Sequence, residues 1–252
     1  MAINIELLSD LCQLPGAPGS EKLVRKRVLQ EIEGLVDEIK VDNLGNVIAL
    51  KKGRSDQKLM VAAHMDEISF VITHIDDEGF ARFHPLGGFD PKTLTAQRVI
   101  AHGKKDLLGV MGSKPIHLMT AEERNKAPKL QDYFIDFGLP GEAVKQWVQV
   151  GDKVTRERDF VEVGHSVCTK SLDNRVSVYI LIEALKQLGE PGCDFYAVFT
   201  VQEEVGLRGA MTATRQINPD YGLGLDTTIA NDLPGSGDHE KITKLGGGTA
   251  VK

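Results

Sequence analysis

Leu59-Met-Val-Ala-Ala63, followed at once by His64-Met65-Asp66, is the stretch from which the rest of the chain is read. A continuous apolar run of strand length suits a core strand covered on both faces, because a half-exposed strand would alternate polar and apolar residues. The run ends on an imidazole and a carboxylate, which places polar chemistry at the carboxyl end of a core strand. Upstream, Glu38-Ile-Lys-Val41 and Asn46-Val-Ile-Ala-Leu50 flank an Asn43-Leu-Gly45-Asn turn and read as two further strands. Before them, Val24, Val28, Ile32 and Leu35 share one helical face, with Ser20 as the expected N-cap. Ile5, Leu7, Leu8 and Leu11 begin an earlier amphipathic helix, which the Pro15-Gly-Ala-Pro-Gly19 turn stops.

Downstream the texture changes. From about Ile68 to about Val163 the chain shows short strands with glycine punctuation: Phe70–Thr73, Phe80–Phe83, Val99–Ala101, Leu107–Val110, Tyr133–Phe137 and Phe160–Val163. Such spacing predicts a small barrel or sandwich inserted into the first domain. After Asp173 helical periodicity returns, with Val176, Ile180, Ala184 and Leu185 as the expected stripe. The strand Phe195–Val201, a helix over Leu207–Ile217 and the strand Tyr221–Leu225 follow. The expected fold is α/β, with residues 1–67 and 164–252 forming one domain and residues 68–163 an inserted β-rich domain.

Composition narrows the function. A 252-residue chain with 41% hydrophobic residues can build a sizeable core. Its 30 basic and 36 acidic residues leave a formal charge of -6 without basic blocks, against a nucleic-acid binder that works by phosphate neutralisation. Three cysteines, Cys12, Cys168 and Cys193, make no disulfide framework, so a reducing, cytoplasmic setting is expected. No apolar run is long enough to span a bilayer, and the N-terminus lacks a signal-peptide pattern, so no membrane partner is expected.

Four polar groups fall at the carboxyl ends of expected core strands or in the turns after them: His64-x-Asp66, Asp173, Glu203-Glu204 and Asp226. Ligands of open α/β sheets bind in that crevice. One imidazole with several carboxylates and no thiolate suits zinc, cobalt or manganese. Two ions about 3.5–4 Å apart need a bridging carboxylate, from Asp173 or one of the glutamates. Residues i and i+2 of extended chain share a side, so Asp66 can accept the second ring N–H of His64. Glu203 and Glu204 would point apart on a regular strand, and serve one site only if the backbone turns there, as Gly206 permits. Taken singly, each group has a plainer explanation: a hydrogen-bonded strand-end pair for His64 and Asp66, a solvated strand end for the glutamates, a helix N-cap for Asp173 and a turn cap for Asp226. Their coincidence at strand ends favours a site.

The segments Ala62-Ala-His-Met-Asp-Glu-Ile68, Lys170-Ser-Leu-Asp-Asn-Arg175, Thr200-Val-Gln-Glu-Glu-Val-Gly206 with Arg208-Gly-Ala210, and Gly224-Leu-Asp226 resemble the metal-site segments of the M42 metallo-aminopeptidases, relatives of glutamyl and deblocking aminopeptidases. The resemblance implies a mixed-sheet, metallopeptidase-like domain with an inserted small β-barrel, peptide substrates and homo-oligomeric assembly; the insert is expected to serve that assembly, since every candidate ligand lies outside it and its strand edges could be covered by a partner subunit. It implies two divalent ions, zinc or cobalt first and manganese after them, with His64 and Asp226 on one, Glu204 on the other and Asp173 bridging. Glu203 is then the general base and Asp66 orients His64. The family pattern has a further histidine beyond the glycine-rich Leu245-Gly-Gly-Gly248, and the sequence ends at Lys252. An M42-like chain without its C-terminal portion, with little activity alone, is therefore expected. His239 reads as a solvated loop histidine. The rivals are a related two-metal carboxypeptidase or deacylase, and a catalytically incomplete assembly or regulatory subunit.

Overall fold

A computed structural model describes residues 3–251. Helices α1 (Ile5–Gln13) and α2 (Lys22–Ile32) lead into strands β1 (Glu38–Val41), β2 (Val47–Lys51) and β3 (Lys58–His64). Strands β4 (Ser69–Ile75), β5 (Phe80–Leu86), β6 (Arg98–His102) and β7 (Asp106–Gly112) come next, then the short helix α3 (Ala121–Arg124), β8 (Phe134–Asp136), α4 (Gly141–Trp147) and β9 (Lys153–Arg156). A hairpin of β10 (Val161–Val163) and β11 (Ser166–Cys168) precedes α5 (Leu172–Gln187), β12 (Asp194–Thr200), α6 (Arg208–Ile217) and β13 (Tyr221–Gly224).

The fold is mixed α/β: a five-stranded sheet in the order β1-β2-β12-β3-β13, and a closed six-stranded barrel in the order β4-β5-β8-β7-β6-β9. The Leu59–Ala63 run lies in β3, between β12 and β13 and parallel to both. One face of the sheet packs Val47, Ala49, Val61, Ala197 and Phe199 against apolar residues of α1, α2 and α5. On the other face Ile48, Met60 and Val198 meet Ala213 and Ile217 of α6. Burial of the larger of these side chains, Val, Ile, Met and Phe, each contributing about 1.5–3 kcal/mol, drives the layering. The barrel has its own core, including Phe70, Ile72, Val99, Met111, Ile135 and Val154. No helix among the described residues is long and apolar enough to cross a membrane.

Three local expectations change. Ser20 does not cap α2: Glu21 occupies that position and makes no side-chain cap bond, because its carboxylate accepts from the N–H groups of Gly19 and Gln202 instead. On α5 the expected stripe is displaced. Ile180 and Ala184 are exposed, while Val178, Leu181, Ile182 and Leu185 face the core. The segment Val-Tyr-Ile-Leu-Ile is apolar all round, so periodicity alone did not choose a face. Phe160–Val163 is not a barrel strand, since β10 pairs only with β11. The barrel closes instead through β9, which pairs with both β4 and β6.

Candidate active site

Strand register brings the separate segments together. In the parallel β12/β3 pair Thr200 lies opposite His64, and the Met65 N–H donates to the Thr200 carbonyl at 2.8 Å. In the parallel β13/β3 pair Gly224 lies opposite Ala62, so two further residues along both strands carry Asp226 level with His64. The first turn of α5 supplies Asp173; Asn174 Nδ2 donates to the Leu225 carbonyl at 2.8 Å and ties that turn to the end of β13.

The His64 ring is buried and faces carboxylates on both nitrogens. Nε2 lies 3.2 Å from Asp173 Oδ1, 3.7 Å from Glu203 Oε2 and 3.9 Å from Asp226 Oδ1. Nδ1 lies 3.3 Å from Asp66 Oδ1 but out of line for a hydrogen bond. Two groups of potential donors result, His64 with Asp173 and Asp226, and His64 with Glu203 and Glu204, each with its donor atoms within 4.8 Å of one another. All six sequence-predicted residues thus converge, and one side of the site is open: the Asp173 and Asp226 side chains are 60% and 55% exposed. Asp226 Oδ1 also accepts from the Thr227 N–H at 2.8 Å, the turn-capping contact expected of an isolated aspartate. His239, by contrast, is exposed in a short turn.

The glutamates share the site because the backbone turns before them. Gln202 adopts a left-handed φ of 55°, a conformation that costs a non-glycine residue about 1–3 kcal/mol. Four successive N–H groups are held at this turn by buried side chains. Val201 donates to Asn46 Oδ1 at 3.0 Å and Gln202 to Glu21 Oε1 at 3.2 Å. Glu203 donates to Asp66 Oδ1 at 3.0 Å and Glu204 to Asp66 Oδ2 at 3.1 Å. Asp66 therefore does more than face His64: its carboxylate grips the loop that carries both glutamates. The barrel reaches this loop too, since a Cβ on Gly87, after β5, would stand 3.1 Å from Glu204 Oε2.

The electrostatics are those of a crowded anionic cluster around one imidazole. Burial works against the charged ring of His64, but Asp173, Asp66 and Glu203 outweigh it and push its pKa up to about 10. Burial raises the Glu204 carboxyl to about 7, with Asp173, Asp66 and Glu203 adding repulsion that His64 partly offsets. Burial likewise raises Glu203, and Asp226, Asp66 and Asp173 repel its charge. A dication would relieve this repulsion, and the donor set of one imidazole and carboxylates fits one.

Sequence reasoning gave no role to Glu67, Lys170, Ser171 or Arg175, which lie in the same segments. Glu67 is fully buried; its carboxylate accepts from Lys170 Nζ at 2.8 and 2.9 Å and from the Ser171 hydroxyl. The available signal was opposite charges flanking the ligand positions in two segments that had to meet.

Fold and site together define a mixed α/β protein with an inserted barrel and a cluster of one imidazole and several carboxylates at its strand ends. The profile of the M42 glutamyl aminopeptidase family matches residues 45–252, and the chain belongs to that family. The lysyl aminopeptidase of Pyrococcus furiosus is 38% identical over 256 residues, spanning 99% of this chain and 73% of that protein. Aminopeptidase APDkam598 from the archaeon Desulfurococcus kamchatkensis is similar with a TM-score of 0.90 at 40% identity, over 96% of this chain and 68% of that one. The TET1 peptidase of Pyrococcus horikoshii, which can assemble into a tetrahedron or a large octahedral shell, is similar with a TM-score of 0.81 at 35% identity, over 91% of this chain and 72% of that one.

Proposed function

We propose that this chain acts as a metal-dependent aminopeptidase unit that removes N-terminal residues from peptides. The convergence of Asp173, Glu203 and Asp226 within 3.9 Å of His64 Nε2 carries this reading. His64 and Asp226 would hold one divalent ion and Glu204 a second, with Asp173 shared. Zinc or cobalt suits these donors best, and manganese is compatible. When bound, such ions polarise the scissile carbonyl and acidify the attacking water. Glu203 takes the proton of that water and delivers it to the leaving amine, a task suited to a carboxyl that burial raises above its ordinary value. Asp66 keeps Glu203 and Glu204 on the turn that faces His64.

Neither donor group contains a second histidine. Assembly into a homo-oligomer through the barrel is supported by apolar side chains on its surface, Leu108, Ile116 and Leu118 among them, which are more than half exposed. A cytoplasmic setting fits the same reading.

The test is release of chromophore from aminoacyl substrates with a free or an acetylated amine, with zinc, cobalt or manganese added to the purified chain. Metal-dependent turnover of the free-amine substrate is expected. Glu203→Gln should keep the metal and lose about 10²–10⁴ of that turnover. Preference for the acetylated substrate would point to a deacylase, and failure to bind metal at all would overturn the reading.

A further inference from the structure

We propose that Glu67, Lys170 and Arg175 are positioning residues, one buried lattice of charges that sets the distance between the turn carrying His64 and Asp66 and the turn carrying Asp173. The proposal rests on the reading of His64 and Asp173 as ligands of one centre.

Arg175 and Glu67 are fully buried and Lys170 nearly so. Arg175 Nε donates to the Met65 carbonyl at 2.7 Å, and Met65 stands between His64 and Asp66. Its Nη1 donates to the carbonyls of Leu11 and Leu14 at the end of α1. Glu67, the residue after Asp66, accepts from Lys170 Nζ, from the Ser171 hydroxyl and, at 3.0 Å, from the Gly16 N–H. Ser171 and Arg175 each lie two residues from Asp173, and the Arg175 N–H donates to the Ser171 carbonyl at 3.1 Å. Arg175 therefore grips the backbone next to His64, while Glu67, next to Asp66, is held by Lys170 and Ser171 from the segment that carries Asp173. Ser171 is itself held in a left-handed conformation, φ 62°, with its hydroxyl on Glu67.

Stability alone does not account for the lattice. Desolvation offsets most of what buried ion pairs gain, and apolar packing of similar volume commonly serves stability as well or better. What charges supply here is direction: Arg175 Nε and Nη1 and both Glu67 oxygens have hydrogen-bond partners, Arg175 Nη2 makes no hydrogen bond and stands 3.6 Å from Glu67 Oε1, and His64 Nε2 comes to lie 3.2 Å from Asp173 Oδ1. Packing is also specific: a Cβ on Gly16 would stand 2.4 Å from Arg175 Nη2, so glycine is needed to seat the guanidinium.

Cobalt binding by the full 252-residue chain tests this, because the visible spectrum of Co²⁺ reports ligand geometry independently of turnover. The variants are Arg175→Lys, which keeps the charge but not the planar fork; Glu67→Gln; Ser171→Ala, which removes one hydroxyl; and His64→Ala. Ile182→Val, in the core on α5, serves as the control for stability loss alone. Ser171→Ala and Glu67→Gln should weaken cobalt about 10–100-fold, as loss of a group that orients a ligand does, and should shift its bands. Ile182→Val should leave both unchanged at a comparable drop in thermal midpoint. Wild-type affinity and bands in Ser171→Ala and Glu67→Gln, with cobalt lost in His64→Ala, would overturn the lattice proposal alone. Cobalt retained by His64→Ala would overturn the reading of the centre beneath it. Should Arg175→Lys not fold, Ser171→Ala decides.

Discussion

Replacing Asp66 by Asn should damage the site and the fold together, because one buried carboxylate serves two strand ends. Its two oxygens accept from the Glu203 and Glu204 N–H groups at 3.0 and 3.1 Å, and Oδ1 faces His64 Nδ1 at 3.3 Å. An amide keeps only one of those oxygens. Its NH₂ must face the N–H of either Glu203 or Glu204, so one charge-assisted bond is lost and one donor is left unsatisfied. With hydrogen bonds to charged groups worth about 1.5–3 kcal/mol and an unsatisfied buried donor costing about 1–3 kcal/mol, the loss should be about 2–4 kcal/mol. Gln202 would then lose much of what holds its left-handed φ of 55°, and the glutamates should drift from His64. Urea unfolding measures the first effect and cobalt titration the second, expected as about 10–100-fold weaker binding. Unchanged unfolding midpoint and cobalt affinity in Asp66→Asn would refute the claim that this carboxylate organises the Gln202–Glu204 turn.

Acid should act through Glu67. Burial alone would raise its carboxyl, but Lys170 and Arg175 outweigh burial and hold it below its ordinary value of 4.5. A depressed carboxyl contributes stability that is present above 4.5 and is lost as pH falls through its folded value. The stability gap between wild type and Glu67→Gln, read by urea unfolding, should therefore shrink on acidification below that point. Thiol reagents should distinguish the cysteines: Cys168 is exposed and should react first, whereas Cys12 is buried, its thiol pushed up to about 11 by burial, and should react only on unfolding. Replacing residues 68–163 by a short linker should reduce particle size while His64, Asp173 and Asp226 still bind metal. Loss of metal with assembly intact would show that the barrel supports the centre, as the approach of Gly87 to Glu204 permits.

The sequence by itself determined the elements that carry a local signature. The apolar run of β3, the periodic faces of α1 and α2, and the glycine-punctuated strands of the barrel were legible, because periodicity and turn chemistry are properties of neighbours. So were the types and positions of the six proposed site residues, each at the end of a strand or the start of a helix. Tertiary structure alone decided the rest. Lys153-Val-Thr-Arg156 has no local mark of a barrel strand and becomes β9 through its partners β4 and β6. The register that sets Thr200 beside His64 depends on residues 136 positions apart in the chain. Gln202 takes its left-handed turn because Glu21, Asn46 and Asp66, all distant in sequence, accept the N–H groups around it. Glu67, Lys170 and Arg175 read as ordinary charged residues until folding buries them against one another. A charge carries no sequence label for the solvent it will lose, and only the packed chain decides whether it meets water or a partner.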